Sequence, residues 1–250
     1  MHCRVLPHAA GDGPWNMAVD QWMLERVAGG ECAGAMLRTY EWSVPTLSLG
    51  YFQSRSEAEA DPRWRGAGLV RRATGGGAIW HDRELTYALA VPSSHPMARG
   101  AKDLYRAVHA AIAGLLADRG VEVRRRGEQE ARVGRDRPLL CFADRDAEDL
   151  VVSGSKVLGS AQRRKAGALL QHGSLLLFGS ERTPELPGLE GLCPGLGAGP
   201  ASAWAGPVWG RIAAALGLVE AERGLSAEER EAVLGIAGAV FGDPGWTDRR

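Results

Sequence analysis

Cys141 and Lys156 are the two side chains of this sequence that could together form a reactive pair. A cysteine acts as a nucleophile through its thiolate, and the simplest way to favour the thiolate is a nearby cation. Lys156 follows at the edge of the next predicted strand, and it is one of only three lysines among thirty basic residues. A lysine can give up its proton whereas an arginine cannot, so its use here suggests chemistry. On composition alone, Cys141 could equally be a small buried hydrophobe and Lys156 a chance occurrence.

A run of three glycines, Gly75 to Gly77, lies between two predicted strands. Glycine has no β-carbon, so such a run allows unusual backbone dihedral angles or the close approach of a ligand. The run lacks the following lysine and the spacing of the nucleotide-binding glycine loops. Arg71 and Arg72 precede it and His81 follows it, which favours a rigid pocket wall. The alternative is that both arginines cap a sheet edge and that His81 is a surface histidine.

His172 opens a further predicted strand in the segment Gln171-His172-Gly173-Ser174. It could approach the same loops, although a lone histidine is more often structural.

The cysteines include no C-x-x-C pair, which argues against a structural zinc site and a redox dithiol; they are Cys3, Cys32, Cys141 and Cys193. The pattern indicates free thiols in a reducing cytosol and suggests no metal site.

Apolar spacing predicts the helices and strands that must position these residues. Asp12-Gly13-Pro14 starts a predicted helix over residues 14–28, and helical spacing predicts another over residues 102–119. Residues 35–37 and 46–49 are typical of two strands, and the proline and polar residues between them predict a hairpin. Further apolar runs predict strands at 85–91, 139–142, 150–152, 157–158 and 169–177.

The remaining segments are polar or rich in glycine and proline. Residues 124–137 carry many charges and almost no apolar side chain, which predicts a solvated loop to which we assign no role. Residues 184–207 predict a linker. Helices are expected at 208–218 and 226–241, the second starting with a capping box formed by Ser226 and Glu229.

The order of these elements predicts an α/β or α+β fold with a mixed β-sheet flanked by helices. One domain over residues 1–250 accounts for the length, with 183–250 as a C-terminal linker and helices that pack on it.

Thirty basic residues offset thirty acidic ones, so no net charge attracts nucleic acid or an anionic membrane. No apolar run approaches a membrane-spanning length. We therefore expect a cytoplasmic monomer that binds neither nucleic acid nor membranes.

Several segments together resemble the biotin/lipoate protein ligase superfamily, and within it the cysteine-dependent octanoyltransferases. They run in order through most of the chain: Asn16 to Asp20, Leu37 to Trp42, Ser48 to Gln53, Arg71 to Asp82, Glu84 to Tyr87, Cys141-Phe142, Lys156 to Arg163 and Gln171 to Ser174. The Cys141-Phe142 pair and the segment Glu84 to Tyr87 look like the transferases. The third glycine, Gly77, is also familiar from the ATP-using ligases.

The resemblance implies the catalytic-domain fold of that superfamily and a two-step acyl transfer that needs no cofactor. Cys141 would take an octanoyl group from octanoyl-acyl carrier protein and pass it to a lysine of a lipoyl domain or of the glycine-cleavage H protein. Lys156 would favour the thiolate and assist deprotonation of the incoming amine. A turn at 159–161 would stabilise the oxyanion, and Gly75 to Gly77 would line the acyl tunnel. The substrate-binding residues implied in this way are Arg71, Arg72, Thr74, Gly75, Gly76, Gly77, His81, Gly159, Ser160, Ala161, Gln162, His172 and Gly173.

Three alternatives stay open at this point. An ATP-dependent lipoate-protein ligase would use ATP and magnesium, and Lys156 would contact an acyl-adenylate. An amidotransferase would move the acyl group between two lipoyl-domain proteins. A catalytically silent paralogue would only bind a carrier protein. The sequence also leaves open the acceptor protein and the length of the acyl chain.

Overall fold

The computed structural model describes residues 1–32, 34–100, 102–131, 138–196 and 199–249. Its strands are β1 (His2–Gly11), β2 (Ala35–Trp42), β3 (Thr46–Leu49), β4 (Gly68–Arg71), β5 (Ile79–His81), β6 (Glu84–Pro92), β7 (Val123–Arg125), β8 (Leu150–Val152), β9 (Ser155–Lys165), β10 (Ala168–Leu176) and β11 (Val219–Arg223). Its α-helices are α1 (Gly13–Ala28), α2 (Arg55–Glu59), α3 (Asp103–Ala117), α4 (Gly188–Leu192), α5 (Ser202–Leu216), α6 (Ala227–Ile236) and α7 (Pro244–Thr247).

These strands form two sheets within the described ranges. The larger has eight strands in the order β11-β1-β2-β6-β10-β9-β8-β7, and the smaller has the order β4-β3-β5. Strand β1 is parallel to both of its neighbours, whereas the other pairs of the larger sheet are antiparallel. The predicted mixed sheet flanked by helices is confirmed.

Helices cover both faces of the larger sheet, which explains the nearly continuous apolar sequence of its central strand β6. Successive side chains of a strand point to opposite faces. Met36 and Ala88 pack with α1 and α6 on one face, while Leu37 and Leu89 pack with α3 and α5 on the other. A strand buried on both faces loses the alternation of polar and apolar residues.

The hairpin predicted between residues 35–37 and 46–49 is wrong, although both strands exist. Strand β2 pairs with β1 along one edge and with β6 along the other, so both of its edges are occupied. Strand β3 pairs instead with β4 and β5 in the smaller sheet. The polar connection after Trp42 therefore carries the chain from one sheet to the other.

The predicted linker at 184–207 is wrong over its last residues. Helix α5 begins at Ser202 and continues through Pro207, and α4 also lies within the linker. A proline in the second helical turn removes one backbone hydrogen bond. Trp204 is only 3% exposed in the core shared with α3, and burial of so large an apolar side chain offsets that local cost.

The solvated loop predicted at 124–137 is wrong over its first residues. Arg124 and Arg125 belong to β7, which pairs with β8 at the edge of the larger sheet. The Arg125 guanidinium forms an ion pair with Glu148 at 2.9 Å. A long arginine stem lets the charged group reach a carboxylate while the backbone joins a sheet. The last part of that prediction, 132–137, lies outside the described residues.

The predicted starts of α1 and α6 are confirmed, whereas the helix expected from residue 208 begins at Ser202. The Asp12 side chain accepts a hydrogen bond from the Trp15 N–H at 2.9 Å at the start of α1. Ser226 and Glu229 form the capping box of α6, and Glu229 also accepts two hydrogen bonds from Arg4 of β1. The capping carboxylate therefore ties α6 to the first strand. None of the helices in the described ranges is long and apolar enough to cross a bilayer.

The tie between Arg4 and Glu229 predicts a pH dependence of stability. The hydrogen bonds from Arg4 lower the pKa of Glu229 from 4.5 to about 2. A depressed folded-state pKa stabilises the fold at pH values above the unfolded-state pKa, and this stabilisation is lost as the pH falls towards about 2. We expect Glu229→Gln to remove this part of the acid dependence in urea unfolding. Glu228→Gln, at an exposed neighbouring position, is the matched control; equal acid profiles for both variants would contradict the assignment.

Candidate active site

Cys141 lies in a short 3-10 turn, Cys141–Ala143, and not in the strand predicted at 139–142. The turn is joined to the glycine run through Ala78: the Ala78 N–H donates to Leu139 O and the Cys141 N–H donates to Ala78 O, both at 2.7 Å. A β-carbon on Gly77 would lie 2.9 Å from the Cys141 nitrogen. The third glycine therefore allows the backbone of Cys141 to pack against the loop.

Lys156, near the start of β9, reaches back to this turn. Its Nζ lies 3.7 Å from Cys141 Sγ and donates to Cys141 O at 3.0 Å. The same ammonium lies 2.9 Å from Asp149 Oδ1 and 5.1 Å from the centre of the Phe142 ring. The two residues that the sequence singled out are thus brought into contact, with a buried carboxylate beside them.

Gly159 makes room for the lysine side chain. A β-carbon at this position would lie 2.5 Å from Lys156 Cε and 2.9 Å from Nζ, closer than real β-carbons approach. Gly159 therefore contributes to the site through its missing side chain, which leaves room for the end of the Lys156 side chain.

The charge state of Lys156 follows from its neighbours. Burial acts to lower its pKa, but the negative charges of Cys141 and Asp149 more than offset burial, so the pKa of Lys156 is raised above 10.5. Burial raises the pKa of Asp149, against the opposing effect of Lys156. Lys156 is therefore an ammonium at neutral pH. This supports an electrostatic role and gives no support to the expected role in deprotonating the amine.

A mainly apolar pocket opens beside Cys141. Its void amounts to about 400 Å³, the open mouth included. Large side chains from α1, β2 and β5 supply much of the wall, and small residues of β9 and β10 supply the opposite side; the lining includes Met17, Tyr40, Trp42, Ile79, Gly159, Ser160, Ala161, Gly173 and Ser174. Pockets of this size and polarity take small, largely apolar ligands.

His81 and Arg72 form one polar wall of the pocket. His81 is buried, stacks on Trp42 with ring centroids 3.8 Å apart and hydrogen-bonds to Glu84 and to Ser48 Oγ, the latter at 2.6 Å. Burial lowers the pKa of His81 despite the Glu84 carboxylate. Arg72 donates to Ser48 Oγ at 2.7 Å and to the carbonyls of the glycine run. The surface-histidine alternative is therefore wrong, and Arg72 fixes the loop.

His172 forms a second polar wall, and Thr74, which does not line the pocket, supports its ring. His172 Nε2 lies 2.8 Å from Thr74 Oγ1, and Nδ1 lies 2.7 Å from Asp20 Oδ2. Burial acts to raise the pKa of Asp20, but Arg38 and His172 more than offset it and the pKa is lowered. His172 is thus held between a carboxylate and a hydroxyl, with its ring facing the pocket.

Residues 159–161 are not the turn that was predicted, because they lie inside β9 and pair with β10. The Ser160 N–H donates to Tyr105 OH at 2.9 Å and so is already engaged. Ser160 Oγ instead contacts His109 Nε2 and Tyr87 OH, each at 2.7 Å. The expectation that this segment forms the oxyanion site through its backbone is therefore wrong for Ser160.

Two other expected site residues lie away from the pocket wall. Arg71 is fully buried and donates to the carbonyls of Gly50, Gln53 and Thr247, which ties α7 to the smaller sheet. Gln162 donates to Gln171 Oε1 at 2.8 Å. Both have structural hydrogen bonds where substrate contacts were expected. No group of three or more His, Cys, Asp or Glu side chains in the described ranges could hold a metal ion.

Comparison with known proteins decides the family. The sequence model of the lipoyl protein ligase A/B catalytic domain matches residues 12–183. Octanoyltransferase LipM of Staphylococcus aureus is 39% identical over 172 residues, which cover 66% of this chain and 62% of the relative. Octanoyltransferase LipM of Macrococcus caseolyticus is 38% identical over 190 residues, 68% of each chain. 

This chain belongs to the lipoyl protein ligase A/B catalytic domain family.

The family match contains every residue that lines the pocket, from Met17 to Ser174, and ends before α4. The chain aligns with only about three fifths of the length of the S. aureus relative. A solved lipoate protein ligase of Thermoplasma acidophilum shares the fold, with a TM-score of 0.72 and 18% identity over 99% of this chain and 96% of that one. The predicted family and fold are confirmed.

Sequence reasoning missed the carboxylates of this catalytic domain. Asp149, Asp20 and Glu84 are each buried, in contact with the predicted site residues Lys156, His172 and His81, respectively. Asp20 and Glu84 stand inside segments that resemble the family, but nothing singled them out. For Asp149 one signal was available: it directly precedes the apolar run of β8, where a charged residue needs a partner.

Gly159→Ala tests whether the site depends on the position of the ammonium. The added methyl group should displace Lys156 Nζ and slow alkylation of Cys141 by iodoacetamide at neutral pH, on the order of 10-fold to 100-fold. Peptide-resolved mass spectrometry measures the rate at Cys141 alone. Gly235→Ala in α6 is the control, because a β-carbon there meets no atom within 4 Å. An unchanged rate in a folded Gly159→Ala protein would contradict this account of the site.

Proposed function

We propose that this chain is an octanoyltransferase that carries the acyl group on Cys141. The contact between Cys141 Sγ and the Lys156 ammonium at 3.7 Å, beside an apolar pocket, is the observation that carries the proposal. An ammonium at this distance favours the thiolate, which is the nucleophilic form. Relatives that share 38% to 39% identity are named octanoyltransferases, which supports the same activity.

The first step is a thioester exchange. The Cys141 thiolate attacks the carbonyl carbon of octanoyl-acyl carrier protein, the new C–S bond forms, and the carrier thiolate leaves and takes up a proton. Exchange between two thioesters needs no further activation, so no cofactor is required. The octanoyl chain occupies the pocket, with Trp42 and Ile79 among the side chains it meets.

The second step transfers the acyl group to an amine. A neutral lysine amine of a lipoyl domain or of the glycine-cleavage H protein attacks the thioester, the C–N bond forms, and the Cys141 thiolate leaves. The proton released from nitrogen passes to solvent. The Lys156 ammonium stabilises the charge that develops on the carbonyl oxygen and then on the departing sulfur. We place this chemistry in the cytoplasm, where acyl carrier proteins and reduced thiols are found together.

Intact-protein mass spectrometry after mixing with octanoyl-acyl carrier protein tests the proposal. We expect one octanoyl adduct on the wild-type chain without ATP, none on Cys141→Ala, and an undiminished adduct on Cys193→Ala, which alters a half-buried thiol elsewhere. Addition of a lipoyl domain should discharge the adduct and acylate the domain.

Other outcomes of this experiment would contradict the proposal in distinct ways. An adduct that persists in Cys141→Ala would exclude the nucleophile. Acylation that requires ATP, magnesium and free octanoate would identify a ligase. Charging from octanoyl-H protein but not from octanoyl-acyl carrier protein would identify an amidotransferase, and no transfer with any donor would indicate a silent paralogue.

A further inference from the structure

Lys156 contacts Asp149 and the sulfur of Cys141, which is a thiolate in the reaction just proposed, and of these two anions only Asp149 keeps its charge throughout that reaction. Before acylation the ammonium faces Cys141 Sγ and Asp149 Oδ1. Once Cys141 carries an acyl group, its sulfur is neutral. The side chain of Lys156 is 3% exposed, and a buried charge without a partner is costly. The acyl-enzyme therefore depends on Asp149 in a way that the free enzyme does not.

We propose that Asp149 is a positioning residue whose carboxylate keeps the Lys156 ammonium charged and beside the sulfur while Cys141 is acylated. The inference rests on the proposed function, because it concerns the acylated state. It assigns the two steps different requirements. During the first step the thiolate and Asp149 both contact Lys156, and during the second Asp149 is the one anion among the described residues that is left in contact with it.

The surroundings of Asp149 fit such a role. Its side chain is 1% exposed, and Oδ2 accepts the Asp146 N–H at 2.9 Å, which fixes the carboxylate. Arg126 Nε lies 3.8 Å from Oδ2 on the other side. Among the described residues, Oδ1 accepts no aligned hydrogen bond, so charge attraction holds Lys156. The N–H groups of Lys156 are thereby left to Cys141 O and Sγ.

Other groups near Lys156 cannot easily replace Asp149. Burial lowers the pKa of His109 to about 3, so this histidine is neutral and carries no charge towards the ammonium. Asp144 acts on Lys156 only through space, without the contact that Asp149 makes. The titratable or charged groups that act on Lys156 and Asp149 from the surrounding elements are Cys141, Asp144, Asp146, His109, Tyr105 and Arg126.

Nuclear magnetic resonance of the lysines tests the proposal without any transfer activity. The chain has only three lysines, so lysine-selective ¹³C labelling gives few Cε signals to assign. Capping Cys141 with iodoacetamide makes the sulfur neutral, as in the acyl-enzyme. We expect Lys156 to remain an ammonium at neutral pH in the capped wild-type protein, and to titrate at a lower pH in capped Asp149→Asn than in the capped wild type, because the variant also loses the charge of Asp149.

Two results of the titration would overturn the proposal. One is a capped wild-type protein in which Lys156 is uncharged at neutral pH. That result can be obtained even if Asp149→Asn fails to fold. The other is an equal titration of Lys156 in the two capped proteins. Neither result depends on whether octanoyl-acyl carrier protein is the donor. The role of Asp149 can therefore be contradicted while the proposed function stands, and the proposed function can be contradicted while the role of Asp149 stands.

A kinetic experiment tests the assignment to the second step. Acyl-enzyme is isolated and mixed with a lipoyl domain in single-turnover conditions over a range of pH. The ratio of wild-type to Asp149→Asn rate constants cancels the titration of the attacking amine. We expect the ratio to rise by up to about tenfold per pH unit above the lowered pKa of Lys156, because the ammonium is lost as pH rises. The first step should change by only a few-fold.

Glu148→Gln is the matched control for this experiment. It removes a neighbouring buried carboxylate that pairs with Arg106 and Arg125 and not with Lys156. The ratio of the wild-type rate constant to the Glu148→Gln rate constant for the second step should not vary with pH. A ratio for Asp149→Asn that is equally flat, or an equal loss in both steps, would contradict the positioning role.

Discussion

A buried ammonium is the constraint on which this site depends. Lys156 lies out of water, and a charge in that position persists only where anions and hydrogen-bond acceptors surround it. Asp149, Cys141 O and Cys141 Sγ supply them from two directions. The turn that carries Cys141 must therefore stay close to the start of β9, and Gly77 and Gly159 let the backbone and the lysine side chain approach closely enough.

The pocket is apolar because its polar side chains are already engaged. His81 is held between Glu84 and Ser48, and His172 between Asp20 and Thr74. Because both ring nitrogens of each histidine are already hydrogen-bonded, neither ring needs a polar partner from a ligand. The acyl chain of the proposed reaction has no polar atoms along its length and suits such a lining, and Cys141 lines the pocket with Lys156 in contact with its sulfur.

Much of the fold could be predicted because local patterns specify it. Asp12 and Pro14 define the start of α1, and Ser226 with Glu229 defines that of α6. The hairpin was wrong because pairing partners are set by the whole sheet: both edges of β2 are taken by distant strands. Strand β1 was not predicted; it contains Pro7, and its pairing with β2 shifts register between Leu6 and Ala9, which no local pattern shows.

Sequence reasoning selected site candidates by their distinctive chemistry and missed the residues whose importance depends on their surroundings. Cys141 and Lys156 were identified by residue type and by resemblance, and the structure places them in contact. Arg71 looks like a ligand-binding residue in sequence, yet its guanidinium binds buried carbonyls of its own chain. Asp149 carries no motif of its own, and its importance depends on where β8 and β9 bring it.

A crystal structure of the chain alkylated at Cys141 with a bromomethyl ketone of octanoyl length tests the central claim most directly. Our account predicts that the alkyl chain enters the pocket beside Trp42 and Ile79 and that Lys156 stays in contact with Asp149 next to the modified sulfur. An alkyl chain that lies in solvent, or a Lys156 side chain that leaves Asp149 once the sulfur is neutral, would contradict it.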